Sequence, residues 1–376
     1  MKPLIKWTGG KSNEVKHLKE LIPSQFDRYI EPFFGGGAVF FSLEPERAVI
    51  NDISEDLIRF YKILKDVQKR ESLKVNLGLY VENWEKVNHF MEFFQENLLN
   101  LYHEFKLEKI DKIQLKVELI KELNSKMDRF NGLFKDYFCI DSSKLFNEIL
   151  KNIFSKLVRI RMIEIHENKD FSREEMIDHI ETSFRSGFYT HFRNLLNDAN
   201  VGSIQLDEGK YIATYYFIRE FCYGSMFRFN EKGEFNIPYG GTSYNKKNFR
   251  KKVQELFSEK AMNLLKNAEI HNIDFEELFK KINPTKNDFI FLDPPYHSEF
   301  SEYDQNSFDK DDQERLASVL LKIDAKFIML IKKRSFIEKL YKGKPKIRIS
   351  SFKKTYLYNA RGRNCRNTRH LIISNF

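Results

Sequence analysis

The sequence predicts an α/β fold in which a doubly wound, mostly parallel sheet is interrupted by a large helical insertion. Three observations carry this. Short continuous apolar runs such as Phe289–Leu292 read as strands buried on both faces. A glycine cluster, Gly35-Gly36-Gly37, separates a strand from the start of a helix. Between residues 66 and 200 proline is absent, glycine scarce and charge dense, while apolar residues recur at helical spacing.

In chain order, Tyr29-Ile30 is the first strand, and Ala38 to Leu43 is apolar enough to begin a helix after the glycines. Ala48-Val49-Ile50 is a second short strand ending at Asn51-Asp52, and Glu55 to Lys65 is helical in pattern. In the insertion, Leu145, Ile149, Ile153 and Leu157 form one stripe and Phe90, Phe94, Leu98 and Leu101 another. Such stripes read as core seams. Tyr211 to Phe221 forms a further helix, and the stretch from Cys222 to Pro238 reads as a hairpin or extended loop around Asn230 to Gly233. The α/β rhythm returns after about residue 270. Phe289–Leu292 is a strand, Asp311 to Leu321 a helix and Lys326 to Ile331 a strand, with Lys346 to Ser350 and His370 to Ser374 as two more strands.

The chain has 376 residues, 63 Lys plus Arg against 54 Asp plus Glu, and a net charge of +9. That length fits two domains or one with a large insertion. With 41% hydrophobic residues a wholly disordered chain is excluded. No apolar run approaches membrane-spanning length, and the start of the chain has no secretory apolar region, so no membrane is expected. Cys139, Cys222 and Cys365 lie far apart, without metal-type spacing, so no metal is expected and a reducing, cytoplasmic setting is. Lys342 to Arg369 holds ten Lys/Arg and no acid. A solvated basic surface and a phosphate-facing patch both explain such a run.

Three motifs carry chemistry. In Glu31-Pro32-Phe33-Phe34-Gly35-Gly36-Gly37, glycines at a helix start let the backbone approach a ligand closely. Asp52 ends the next strand, where a carboxylate can accept from two ribose hydroxyls; together these describe a nucleoside-type ligand on a Rossmann-like sheet. Three adjacent glycines depart from the dinucleotide fingerprint, and Gly10-Lys11-Ser12 lacks the earlier glycine of a phosphate loop, since Ile5 stands there. The second motif is Asp293-Pro294-Pro295-Tyr296, directly after an apolar strand. A carboxylate and a backbone carbonyl can accept the two N–H bonds of an exocyclic amine and enrich its nitrogen. The prolines stiffen the carbonyl, and Tyr296 stacks on the base. The third, Lys6-Trp7-Thr8-Gly9-Gly10-Lys11, is weak by itself; Trp7 can pack on a cofactor and Lys11 can meet a carboxylate.

In this order the motifs resemble the Dam-type, alpha-ordered DNA adenine-N6 methyltransferases of the D12 class. The resemblance extends through Phe235-Asn236-Ile237-Pro238, Tyr303, Phe308, Asp312-Gln313 and Leu316-Ala317, and covers residues 1–65 and roughly 211–376. It implies S-adenosyl-L-methionine as methyl donor and adenine N6 in double-stranded DNA as acceptor, reached by flipping the base. It also implies a catalytic domain of residues 1–65 and 260–376. Residues 66–259 would form the helical insertion and target-recognition region, with a hairpin near 222–240.

By the same resemblance, Trp7, Lys11, Glu31, Gly35, Gly37, Asp52, Asp274 and Asp293 contact the cofactor. Asp293, Pro294 and Tyr296 are catalytic, and Arg228, Asn236 and Pro238 face DNA. A restriction endonuclease acting on the same site is an expected partner, with orphan and phage roles as alternatives. Gly224-Ser225 replaces the Asn-Gly usual in GATC-reading members, which argues against GATC, and the insertion is larger than in the simplest members, which points to a different or longer recognition site. The rival readings are methyl transfer to adenine in RNA or to a protein amide, whose families more often carry Asn before Pro-Pro-Tyr, and a non-catalytic DNA-binding module.

Overall fold

The computed structural model describes residues 1–11, 14–125, 133–226, 228–295, 308–355 and 367–376. In chain order the elements are α1 (Val15–Lys19), β1 (Tyr29–Glu31), α2 (Ala38–Leu43), β2 (Ala48–Asn51), α3 (Glu55–Lys65), α4 (Val67–Lys106), α5 (Lys112–Ser125), α6 (Asp136–Cys139), α7 (Ser142–Glu167), α8 (Arg173–Asn200) and α9 (Glu208–Phe221). After these come α10 (Phe249–Leu256), α11 (Glu259–Lys266), β3 (Ala268–His271), α12 (Phe275–Ile282), β4 (Phe289–Leu292), α13 (Lys310–Leu320), β5 (Lys326–Lys332), α14 (Ser335–Tyr341), β6 (Arg348–Thr355) and β7 (Asn367–Ser374). The chain divides into two compact units. One comprises Met1–Arg70, Arg228–Lys232 and Glu255–Phe376, the other Glu71–Phe227 and Gly233–Gln254.

The first unit is built on a seven-stranded sheet in the order β3-β2-β1-β4-β5-β7-β6. β1 pairs in parallel with both β2 and β4, β2 with β3, and β4 with β5; β7 runs antiparallel between β5 and β6. Strands β2 and β4 are buried at every position, as expected where helices cover both faces. On one face Ile30, Val49, Ile290, Phe327 and Met329 pack with apolar residues of α12, α13 and α14. On the other, rings from the β1–α2 segment and α3 interlock: Phe34 lies edge-on to Phe40 at 5.4 Å and to Tyr61 at 4.9 Å. The predicted doubly wound sheet is therefore present. β3 went unread because Ala-Glu-Ile-His carries charge, which an edge strand with one open side tolerates.

The second unit is helical. The predicted seam residues Leu145, Ile149, Ile153 and Leu157 are buried along α7, and Phe90, Phe94 and Leu98 along α4, while Leu101 is half-buried. Its core is aromatic: Tyr80 stacks on Phe217 at 4.8 Å, and Trp84 lies 4.2 Å from Phe221. Start signals are local, as in the capping box of Ser172 and Glu175 that opens α8. Helices α7 and α8 meet at Gly187, where a Cβ would stand 2.5 Å from the Cα of Ile149. Among the described residues no helix is long and apolar enough to cross a membrane, and no group of three or more His, Cys, Asp or Glu could hold a metal ion.

Candidate active site

The strand order reverses between β1 and β4, and the carboxyl ends of these two strands carry the first two motifs. In parallel α/β sheets this crevice is where ligands bind. The chain leaves β1 through Pro32 and Phe34 into a turn at which Gly35 has φ 51° and Gly37 φ 67°. At these angles a side chain is strained. Space excludes one too: a Cβ on Gly35 would lie 2.7 Å from the Trp7 ring, and one on Gly37 2.5 Å from the Phe34 ring. The glycines thus admit this protein's own aromatic rings, with Trp7 laid against the turn from the N-terminal motif.

Four ionisable side chains lie at the strand ends. The Lys11 ammonium is buried and donates to Asp293 Oδ2 at 2.5 Å and to the Gly9 carbonyl at 2.8 Å. The Asp293 side chain keeps 19% of its surface exposed, so one edge of the pair faces outward. Asp52 Oδ2 accepts the Gly35 N–H at 2.8 Å and Oδ1 the Ser54 N–H at 2.9 Å, which locks the glycine turn to the end of β2. Burial raises the Asp52 carboxyl above its ordinary range, and these amides oppose that. Glu31 is buried and accepts the Tyr29 hydroxyl at 2.8 Å. Its carboxyl is pushed well above the usual range, first by burial and further by the charges of Asp293 and Asp52, against the Tyr29 bond. Asp293 and Asp52 therefore both lie within electrostatic reach of Glu31.

Asp274 caps α12: its Oδ1 accepts the Glu276 N–H at 2.9 Å and the Arg315 guanidinium at 2.7 Å. Arg315 also reaches Asp312 at 2.7 Å and Glu276 at 3.2 Å, and lies over the Phe275 ring. These contacts fasten α13 to the loop after β3. Pro294 is buried and Pro295 exposed, while Tyr296 lies outside the described residues.

Sequence reasoning missed three residues that position this loop system. The side-chain amide of Asn51 donates to the Pro32 and Ile273 carbonyls and accepts the Ile273 N–H, each at 3.0 Å, so it joins the loops after β1, β2 and β3. Its place immediately before Asp52 was the available signal. Gln313, buried in α13, donates to the Pro295 carbonyl at 3.3 Å. Arg315 is the third; Gln313 lies within the stretch that carries the family resemblance, which assigns it no role, and nothing local in the sequence marks Arg315 as part of a site.

Of the residues expected to face DNA, Arg228 groups with the first unit and is exposed, whereas Asn236, half-buried, and exposed Pro238 belong to the second. The second unit mounts the base of the expected hairpin firmly. Cys222 and Tyr239 form an antiparallel bridge. Asn197 on α8 pairs with the backbone of Phe235, donating to its carbonyl at 3.1 Å and accepting its N–H at 2.9 Å. The Tyr189 hydroxyl donates to the Ile237 carbonyl at 2.9 Å. On α9, buried Arg219 donates to the carbonyls of Ser225 at 3.0 Å and Met226 at 3.1 Å, where Gly224 and Ser225 both hold positive φ.

Comparison with known proteins agrees with this architecture. The sequence profile of the D12 class N6 adenine-specific DNA methyltransferases matches residues 7–153 and 141–357. The chain belongs to this D12 class. It is similar to the "Type II methyltransferase M.MjaIII" of Methanocaldococcus jannaschii, 28% identical over 365 residues covering 91% of this chain and 89% of that protein. It is also similar to the "Type II methyltransferase M.CviBI" of Paramecium bursaria Chlorella virus NC1A, 23% identical over 378 residues with 100% of both chains covered. A "DNA adenine methylase" of Vibrio cholerae is 23% identical over 369 residues, covering 96% of this chain and 91% of that one. As a D12 methyltransferase the chain modifies adenine at N6, and its fold places Asp293, Pro294 and Pro295 at the switch point of the sheet.

Proposed function

We propose that this chain transfers a methyl group from S-adenosylmethionine to N6 of an adenine flipped out of double-stranded DNA. The observation that carries the reading is the Lys11–Asp293 pair at the end of β4, beside the glycine turn that follows the adjacent strand β1. With Glu31 held toward its neutral form by burial, the carboxylates of Asp52 and Asp293 still outnumber the single Lys11 ammonium. That excess suits a ligand carrying a sulfonium, an ammonium and a ribose diol. When bound, S-adenosylmethionine supplies an electrophilic methyl group. Trp7, Lys11, Glu31, Gly35, Gly37, Asp52, Asp274 and Asp293 would hold it.

The residues of the tetrapeptide act on the amine. Asp293 accepts one N–H and the Pro294 carbonyl the other, which holds the nitrogen pyramidal and its lone pair available. Tyr296 stacks on the extruded base and offsets part of the unstacking cost. Asp293 positions and polarises, because the amine loses its proton after the new N–C bond has formed. Lys11 keeps the carboxylate from turning away. Residues 66–259 serve target recognition, with Arg228, Asn236 and Pro238 at the DNA; an Arg suits a guanine edge in the major groove. Two relatives are type II methyltransferases, which supports a role in restriction–modification; an endonuclease reading the same site would then be the partner, and the cytoplasm the setting.

Expression in a methylation-free host, followed by direct DNA sequencing, tests this. One short motif should carry N6-methyladenine throughout the genome. Unmodified DNA, or labelled methyl entering RNA or protein instead, would overturn it. Arg228→Ala should weaken discrimination between cognate and random duplex more than it weakens binding to random duplex. Equal losses on both would count against that role.

A further inference from the structure

The register of the last three strands lines up cations that the active site does not use. β6 and β7 pair antiparallel with Lys353 opposite Arg369, and the Lys333 N–H, just past β5, donates to the Arg369 carbonyl at 2.8 Å. Lys353, Arg369 and Lys333 therefore form one row across the sheet, and all three are exposed. Lys333 is paired with Glu338 at 3.3 Å. Lys353 and Arg369 have no acidic partner among the described residues, and the sequence holds no Asp or Glu after Glu338. Like charges facing each other directly across a ladder are unfavourable. A sheet that keeps such a pair at its exposed end fits a polyanionic partner.

The topology says where that partner would run. β5 is parallel to β4 and antiparallel to β7, so the row lies at the carboxyl edge of the parallel strands, the edge that carries Gly35, Asp52 and Asp293. Lys353 on β6 is three strands from β4, about 15 Å along that edge at the usual strand spacing. We infer that Lys353 and Arg369 form a rail for the phosphate backbone of duplex DNA, holding the helix beside the site while one base leaves the stack. The inference rests on the proposed function and adds to it a surface for the bound duplex.

The test is equilibrium binding of a fluorescent duplex by the full-length protein, in a series of salt concentrations, with cognate and scrambled sequences. Each phosphate contact contributes about 0.9 to the slope of log affinity against log salt, so the double variant Lys353→Ala/Arg369→Ala should flatten that slope by about 1.8. The loss should be the same on both duplexes, with S-adenosylmethionine binding unchanged. Arg369→Lys alone should keep most of the slope. The matched control is Lys344→Ala/Arg348→Ala, which removes the same charge at the opposite end of β6 and should leave the slope alone. If both double variants flatten the slope equally, only net charge matters and the rail is wrong. An unchanged slope in the Lys353/Arg369 variant, or a loss confined to the cognate duplex, overturns it as well. If the Ala pair does not fold, Lys353→Gln/Arg369→Gln reads the same slope. A protein that binds duplex through these residues yet methylates nothing would overturn the methyl-transfer reading and leave the rail standing.

Discussion

The two units of this protein spend buried polar groups differently. In the sheet unit they join loops at strand ends: Asn51 ties three loops together, Lys11 meets an acid 282 residues away, and Gln313 holds the Pro295 carbonyl. In the helical unit some link helix to helix, and three, Asn197, Tyr189 and Arg219, hold one extended segment around residues 222–239. The first arrangement fixes reacting groups relative to one another. The second presents a surface on a rigid base, with aromatic packing beneath it. It follows that lesions in the sheet unit should damage chemistry at constant stability, and lesions in the helical core should damage stability at constant chemistry.

The largest effect should come from Asp293. Asp293→Asn keeps the shape and a carbonyl for Lys11, whereas Asp293→Ala would take the carboxylate partner from a buried ammonium. Methyl transfer by Asp293→Asn should fall by roughly 10²–10³-fold, the usual scale for removing one group preorganised toward a transition state. Its melting temperature should stay within a few degrees of the parent. Normal turnover in a folded variant would break the comparison at its strongest point.

The counterpart in the helical unit is Gly187→Ala. The added Cβ would meet backbone atoms of Ile149 and Glu148 at 2.5 and 2.8 Å, so α7 and α8 must move apart. Overpacking of this kind costs about 1–3 kcal/mol. Denaturant unfolding should show that loss, while S-adenosylmethionine binding, measured well below the melting temperature, stays unchanged. A Gly187→Ala protein of normal stability would mean that the helical packing is looser than its geometry states.

This contrast also explains what was legible in the sequence. Asp52, the glycine turn and Asp293-Pro294-Pro295-Tyr296 stand out because the chemistry needs those residue types in continuous stretches after strands. The apolar runs gave β2 and β4, and the 3.6-residue stripes gave α4 and α7. Contacts between distant stretches were not legible. Lys11 could be expected to meet a carboxylate, but its partner is set by the β1–β4 pairing. Arg315 reaching Asp274, and Gln313 reaching Pro295, depend on how α13 docks after β4, which no local pattern encodes.

Gln313 gives an intermediate effect that sharpens the comparison. The Pro295 carbonyl can only accept, so the amide NH₂ must face it, which leaves Gln313 Oε1 buried without a donor among the described residues. Gln313→Leu removes the only donor it offers to the tetrapeptide. We expect kcat to drop about tenfold, the worth of roughly 1.4 kcal/mol, with KM for S-adenosylmethionine nearly constant. A parallel rise in KM would make Gln313 a packing residue for the whole loop. Gln313→Glu adds a signature: its protonated acid can donate to Pro295, so activity should recover as pH falls. A flat pH response relative to the parent would exclude the donor role.

The smallest and most diagnostic effect belongs to Glu31. Its carboxyl is held well above the ordinary range, so the folded state prefers the neutral form. Stability from this group is therefore fully present below the unfolded-state value near the usual Glu range, and is lost as pH rises toward the folded-state value. Glu31→Gln mimics the neutral form at every pH. It should stabilise the protein at neutral pH, and the advantage should vanish as pH falls below the usual Glu range. The same variant should bind S-adenosylmethionine less tightly if Glu31 holds part of its positive charge. A residue that lowers stability where it raises affinity belongs to a site, and one that raises both belongs to the scaffold. Glu31→Gln measured at two pH values, with and without S-adenosylmethionine, assigns it to one or the other.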